Sequence, residues 1–170
     1  MAKKILFQTA LTDIKDSDLE GVGVLREDSV GNVYRWVKNR NATAFTAKQP
    51  VCYDAGNVGT DALFESVNSP VTDDLMLQAG IALAAIEASG SDCYGWVQVQ
   101  GYCADARVLG VSGTAVAIGD ELVAADGTTT LTRATPVGTA LKRRLTFQAL
   151  EAVSDATGAT YAKDVYIACL

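Results

Sequence analysis

Apolar and polar residues alternate with a period of two along most of this chain, and the runs are separated by residues that favour turns. Residues 22–26 (VGVLR) and 33–38 (VYRWVK) flank 28–32 (DSVGN), a stretch rich in turn formers, and together predict a β-hairpin. Further strands are predicted at 43–46, 50–53, 79–86, 95–103, 104–111, 115–118, 121–125, 128–133, 138–142, 145–153 and 164–169. The pattern describes an all-β protein, a β-sandwich, jelly roll or barrel-like closure, with at most one or two short helices. The two segments open to a helix are 73–88, where alanine and leucine favour it by propensity and Gly80 opposes it, and 13–20, whose acids suit a first helical turn. Residues 1–20 read as an N-terminal arm and 21–170 as a single β-rich domain.

A faint internal echo accompanies the alternation. YRWV at 34–37 matches YGWV at 94–97, TAFTAKQPVC at 43–52 resembles TAVAIGDELV at 114–123, and GIAL at 80–83 resembles GTAL at 138–141. The order is kept but the offsets are unequal. Two pseudo-repeated units, about 21–90 and 91–170, account for it, and so does recurrence of common strand chemistry; the sequence leaves both open.

The stretch CYGWVQVQGYC at 93–103 shows the alternation most fully. As a strand it directs Cys93, Gly95, Val97, Val99, Gly101 and Cys103 to one face and Tyr94, Trp96, Gln98, Gln100 and Tyr102 to the other. Its two thiols then lie roughly 33 Å apart at about 3.3 Å per residue, far beyond the ~4.4–6.8 Å Cα separation of a disulfide. Cys52, Cys93, Cys103 and Cys169 also lack the close pairing of a structural zinc site. They are expected to be buried free thiols that pack as small apolar groups.

The chain has 170 residues, 49% hydrophobic and 20% charged, which is enough to bury a good core and excludes a disordered composition. Its opening residues carry too short an apolar run for a signal peptide, and no stretch approaches the ~20 apolar residues of a membrane span. The expectation is a protein made and kept in a cytosol, with reduced cysteines and an unused sequon at Asn41. With 14 basic against 20 acidic residues the net charge is −6, which points away from nucleic acid. The one concentrated basic run, Lys142, Arg143 and Arg144, reads as solvated surface or as a site for an acidic protein partner.

Catalytic chemistry finds few residues to work with. The chain contains no histidine, so the usual general base and both common nucleophilic arrangements are missing. Neither a phosphate loop nor a dinucleotide fingerprint occurs. Asp73 with Asp74, or Asp120 with Glu121, could supply the two acids of a glycosidase, but both pairs sit where acids serve turns. Asp13, Asp16 and Asp18 miss the spacing of a calcium loop. No enzyme activity, metal or cofactor is expected.

Candidate binding residues are aromatic. Tyr94, Trp96, Gln98 and Gln100, with Tyr34 and Trp36 on the earlier strand, combine large rings with uncharged hydrogen-bonding groups, a composition found at interfaces and also between packed sheets. Lys3, Lys4, Ile5, Leu6 and Phe7 form a short apolar strand with a cationic start, suited to pairing with an exposed sheet edge.

The succession VYRWVKN at 33–39, AKQPVCY at 47–53, AGIAL at 79–83, YGWVQVQGY at 94–102 and AIGDEL at 117–122 resembles the decoration or cement proteins of tailed bacteriophages, the small auxiliary proteins of the head. The resemblance spans roughly residues 20–170 and consists of strand and turn chemistry. It implies a non-enzymatic virion protein that binds the outer surface of the head and stabilises the expanded capsid. The implied partners are the major capsid protein and further copies of itself as a homodimer or homotrimer, with no nucleic acid and no membrane. A carbohydrate-binding module, with Trp36 and Trp96 as stacking platforms, or a tail- or fibre-associated β-module is the alternative.

Overall fold

The hairpin forms as its sequence dictates. Strand β1 (Leu25–Glu27) pairs antiparallel with β2 (Val33–Asn39), with Arg26 opposite Tyr34. The Asp28 carboxylate organises the turn between them, accepting the N–H groups of Val30 and Asn32 at 2.9 Å, Asn32 Nδ2 at 2.8 Å and the Tyr34 hydroxyl at 2.9 Å. A computed structural model describes residues 7–54, 66–68, 77–88, 90, 93–110, 115–124, 127–134, 147–154 and 158–169.

Beyond the hairpin the chain adds β3 (Pro50–Tyr53), β4 (Ser66–Asn68), β5 (Gln78–Ala82), β6 (Tyr94–Leu109), β7 (Glu121–Ala124), β8 (Leu131–Arg133), β9 (Phe147–Ala149) and β10 (Thr160–Ala168). The fold is all-β, and the described residues contain no helix. Hydrogen bonding runs β2–β4–β3–β5–β6 and returns from β6 to β2, closing one five-stranded ring. It also runs β6–β10–β9–β7–β8 and returns to β6 through Val108 and Leu131, closing a second. Closure removes the open edges that make flat sheets prone to mispairing.

The sixteen residues of β6 serve both rings. Its first half pairs with β2 and β5, and its second half with β10 and β8. Two irregularities bend it between these duties. Val99 is extra in the ladder with β2, where Val33 faces Gln100 and Tyr34 faces Gln98. Ala104 and Asp105 together oppose Asp164 of β10, and Asp105 takes a φ of 60°. A bulge of this kind kinks a strand and raises its twist.

Each ring has its own interior. Val37, Val51, Tyr53, Ala79, Val97 and Val99 fill the first, with Phe45 and Ile86 from the loops. Cys103, Ala106, Val108, Leu122, Leu131, Phe147, Val165 and Ile167 fill the second, and Ile81 of β5 packs with them, so the two interiors meet. The alternation expected for 93–103 holds in its first half: Val97 and Val99 point into the first ring and Trp96 points out of it.

Several predicted elements take another form. The strands expected at 95–103 and 104–111 fall on one continuous strand that ends at Leu109, bulged at Ala104 and Asp105. Residues 43–46 are a loop that buries Phe45 and donates its N–H to Ile86. The described parts of 115–118 and 145–153 contribute β9 and an isolated bridge between Val116 and Val153. The helix considered for 13–20 does not form, because Asp18 accepts the N–H groups of Gly21 and Val22 in a turn while Lys15 bridges to Tyr94. Within 73–88 the described part holds β5. Gly80 decides this: at φ 145° its missing Cβ would lie 2.0 Å from the Gln98 carbonyl, so only glycine lets β5 lie this close to β6. The strand expected at 138–142 lies outside the described residues.

Candidate functional site

The aromatic stripe is an interior feature. Trp36 and Trp96 face each other across β2 and β6, edge to face with centroids 5.2 Å apart, and are 0% and 1% exposed. Tyr94 stacks on Trp36 at 6.5 Å, and Tyr34 is buried in the same cluster. The stripe lies on the outer face of the first ring, where the alternation of β2 and β6 puts it, and the chain's own residues 7–24 cover it. Phe7 meets Trp96 edge-on at 5.6 Å, and Leu11, Val22 and Val24 pack alongside.

Buried indoles need acceptors for their N–H groups. Trp96 Nε1 donates to Thr9 Oγ1 and Trp36 Nε1 to Asp18 Oδ1, each at 2.9 Å. Glu20 fixes the start of this cover by accepting the N–H groups of Gln8 and Thr9 and the Thr9 hydroxyl. Residues 7–20 are therefore bound to the domain. Lys3, Lys4, Ile5 and Leu6 lie outside the described residues. Gln98 is buried and donates to the carbonyls of Tyr102 at 2.7 Å and Gln100 at 3.3 Å, tying down the bend of its own strand. Gln100 is half-buried.

A second cross-strand aromatic pair occupies the outer face of the second ring, and it is open. Tyr102 of β6 is the direct partner of Tyr166 of β10, and the two are 50% and 43% exposed. Opposed residues of this kind hold their Cβ atoms about 4.5–5.5 Å apart. The Tyr102 hydroxyl donates to Asp164 Oδ2, and that bond, with the negative charges of Asp164, Glu151 and Asp105 nearby, pushes the phenol up to about 12. It therefore remains a protonated donor at all ordinary pH values.

The backbone beneath this pair is fixed from the hairpin turn. Asn32 Oδ1 accepts the Tyr102 N–H at 2.9 Å, while Asn32 Nδ2 is held by Asp28. Gly101, at φ 101°, makes room for it; a Cβ there would lie 2.2 Å from Asn32 Oδ1. A hydrogen-bonded run thus leads from Tyr34 through Asp28 and Asn32 to Tyr102 and Asp164. Burial would raise the Asp28 carboxyl, but hydrogen bonds from Asn32, Tyr34 and Val30 overcome it and hold the group at about 2.

Of the described acids nominated from sequence, Asp13, Asp18 and Asp120 hold local structure, whereas Glu121 Oε1 is buried with no hydrogen-bond partner among the described residues. Asp120 accepts the Ala117 N–H at 2.8 Å and pairs with Arg133 at 2.9 Å. Asp13 accepts the Ala10 N–H and sits 3.6 Å from Lys15. Asp73, Asp74 and the run Lys142 to Arg144 lie outside the described residues. Cys52, Cys93 and Cys103 are buried and Cys169 is partly so. Among the described residues no group of three or more His, Cys, Asp or Glu is arranged to hold a metal ion, and no helix is long and apolar enough to cross a membrane.

No protein-family model and no curated protein matches the chain. The open face is thus defined by its geometry. Sequence reading placed Tyr102 on the polar-aromatic side of its strand but did not single it out, and passed over Tyr166 and Asp164. The alternation DVYIA at 164–168 carried part of the signal; its pairing with β6 did not show locally.

Proposed function

We propose that this chain is a non-enzymatic structural protein of a phage virion, a cement or decoration protein that binds the outside of the head and stabilises the expanded shell. The observation that carries the reading is the open pair Tyr102 and Tyr166 with Asp164, an aromatic and hydrogen-bonding face set on a doubly closed β frame. Aromatic side chains with polar ends are enriched where proteins meet. Such a protein binds the expanded lattice in preference to its precursor and stabilises it by mass action. Copies that bridge several capsid subunits, as a homodimer or homotrimer, act at high effective concentration. Lys3, Lys4, Ile5 and Leu6 remain the segment suited to adding a strand to a capsid sheet edge.

The carbohydrate-binding alternative called for Trp36 and Trp96 as exposed platforms, and both are interior. The decisive experiment is co-sedimentation of the purified protein with expanded, DNA-free heads over a range of concentrations. Saturable binding at a fixed number of copies per capsid subunit is expected, and absence of binding would overturn the reading. Removal of residues 1–6 alone, which leaves Phe7 on Trp96, then separates the arm from the domain.

A further inference from the structure

The aromatic rings of this protein are repeatedly capped by its own cations. The Arg26 guanidinium lies 5.1 Å from the Phe7 ring and 5.9 Å from Trp96, Arg35 lies 5.5 Å from Tyr53, and Lys38 Nζ lies 5.5 Å from Tyr94. These distances are those of cation–π attraction. Among the described residues no cation is placed over Tyr102 or Tyr166, although they are the most exposed tyrosines described.

Among the described residues the charge around that pair is negative. Asp164 accepts the Tyr102 hydroxyl, Glu151 Oε2 accepts the Asp164 N–H at 3.4 Å, and Asp105 lies in the bulge opposite Asp164. Lys163 lies 3.7 Å from Glu151 and offsets one of the three carboxylates. Two exposed rings beside an excess of carboxylate favour a guanidinium or ammonium group, which stacks on the ring while its N–H groups reach the acids. They disfavour the same face of a second copy, because two-fold pairing would set these acids against themselves. The overall charge of −6 acts in the same sense.

We propose that the face formed by Tyr102, Tyr166, Asp164, Glu151 and Asp105 docks an extended, arginine- or lysine-bearing segment of a partner protein. Consecutive outward positions of a bound strand repeat at about 6.6–6.8 Å, so a cation at every second residue can address neighbouring rings and acids in turn. The site is held ready by Asn32 under Tyr102 and by the bulge at Ala104 and Asp105. The inference deepens the capsid reading and rests on it only for where the basic segment is displayed; the chemistry of the face stands without it.

The test uses the full chain and three probes: a fluorescein-labelled peptide of alternating arginine and valine, its glutamate and valine counterpart, and a neutral glucan oligosaccharide. Anisotropy at low salt should show saturable binding of the arginine peptide alone. Tyr166→Lys, which brings a cation into the face, should weaken it at least tenfold, and Asp164→Asn several-fold, while Tyr166→Phe leaves it within twofold. Amide chemical-shift changes in the unmutated protein should cluster at 100–104 and 165–168, which keeps the test valid should a variant fold poorly. Lack of saturable binding, equal binding of the glutamate peptide, preference for the glucan, or shifts elsewhere would each overturn the proposal. Failure here leaves head co-sedimentation untouched, and failure there leaves peptide binding untouched.

Discussion

The indole N–H of Trp96 donates to the hydroxyl of Thr9 at 2.9 Å, although 87 residues separate them. The first described turn of the chain thereby closes over the start of β6, the longest strand described. Thr9→Val removes this acceptor while keeping the shape, and leaves a buried donor unpaired. A loss of about 1–3 kcal/mol is expected, read as a lower urea midpoint with an unchanged slope.

Asp18 performs the same service for Trp36 and also accepts the N–H groups of Gly21 and Val22. Asp18→Ala should therefore cost more than Thr9→Val, and should shift tryptophan emission to the red as the cover loosens. Equal cost for the two variants would show that the turn bonds of Asp18 contribute little.

Gly101 has its missing Cβ 2.2 Å from Asn32 Oδ1, at a φ of 101°. Gly101→Ala should destabilise by about 1–3 kcal/mol through backbone strain alone, with more from the displaced Asn32. Pairing it with Asn32→Ala should recover the second part only, which a double-mutant cycle resolves.

Stability should fall at both extremes of pH for identifiable reasons. Asp28 is lowered from 3.8 to about 2, so its contribution is present above pH 3.8 and is lost as pH drops toward 2. Tyr34 and Tyr53 are raised from 10 to about 12, chiefly by burial, so their contribution is complete below pH 10 and is lost as pH climbs through 12. Phenolate absorbance should show Tyr34, Tyr53 and Tyr102 ionising late, and Asp28→Asn should flatten the acid limb of a stability profile.

Burial pushes the thiols of Cys103 and Cys169 up. A disulfide reagent at pH 8 should leave both unmodified in the folded protein and label four thiols after denaturation.

Much of this fold was legible because alternation is a local signal. The hairpin turn at 28–32 and the run PVCY at 50–53 declared themselves through turn formers and period two. The division of 93–103 into a valine face and an aromatic face was equally legible. Pairing was not. YRWV and YGWV look like two copies of one unit, yet Trp36 is the direct antiparallel partner of Trp96, so the motifs lie side by side in one ring. The fate of the aromatic face also depended on something remote: whether residues 7–24 would lie over it. Tyr102 and Trp96 sit on the same side of one strand's alternation. Only the first is exposed, and nothing within 94–102 distinguishes them.

The sharing of β6 constrains how this molecule can change over time. In an ordinary strand, a slip of one residue in the pairing turns one set of side chains inside out. In β6 the same event would invert two interiors at once, exchanging Val97 and Val99 for Trp96 and Gln98 in one ring while displacing Cys103, Ala106 and Val108 in the other. Descendants of this chain are therefore free to lengthen or shorten their loops, but a residue gained between Tyr94 and Leu109 has to be taken up as a further bulge, as Val99 and the pair Ala104 and Asp105 are here.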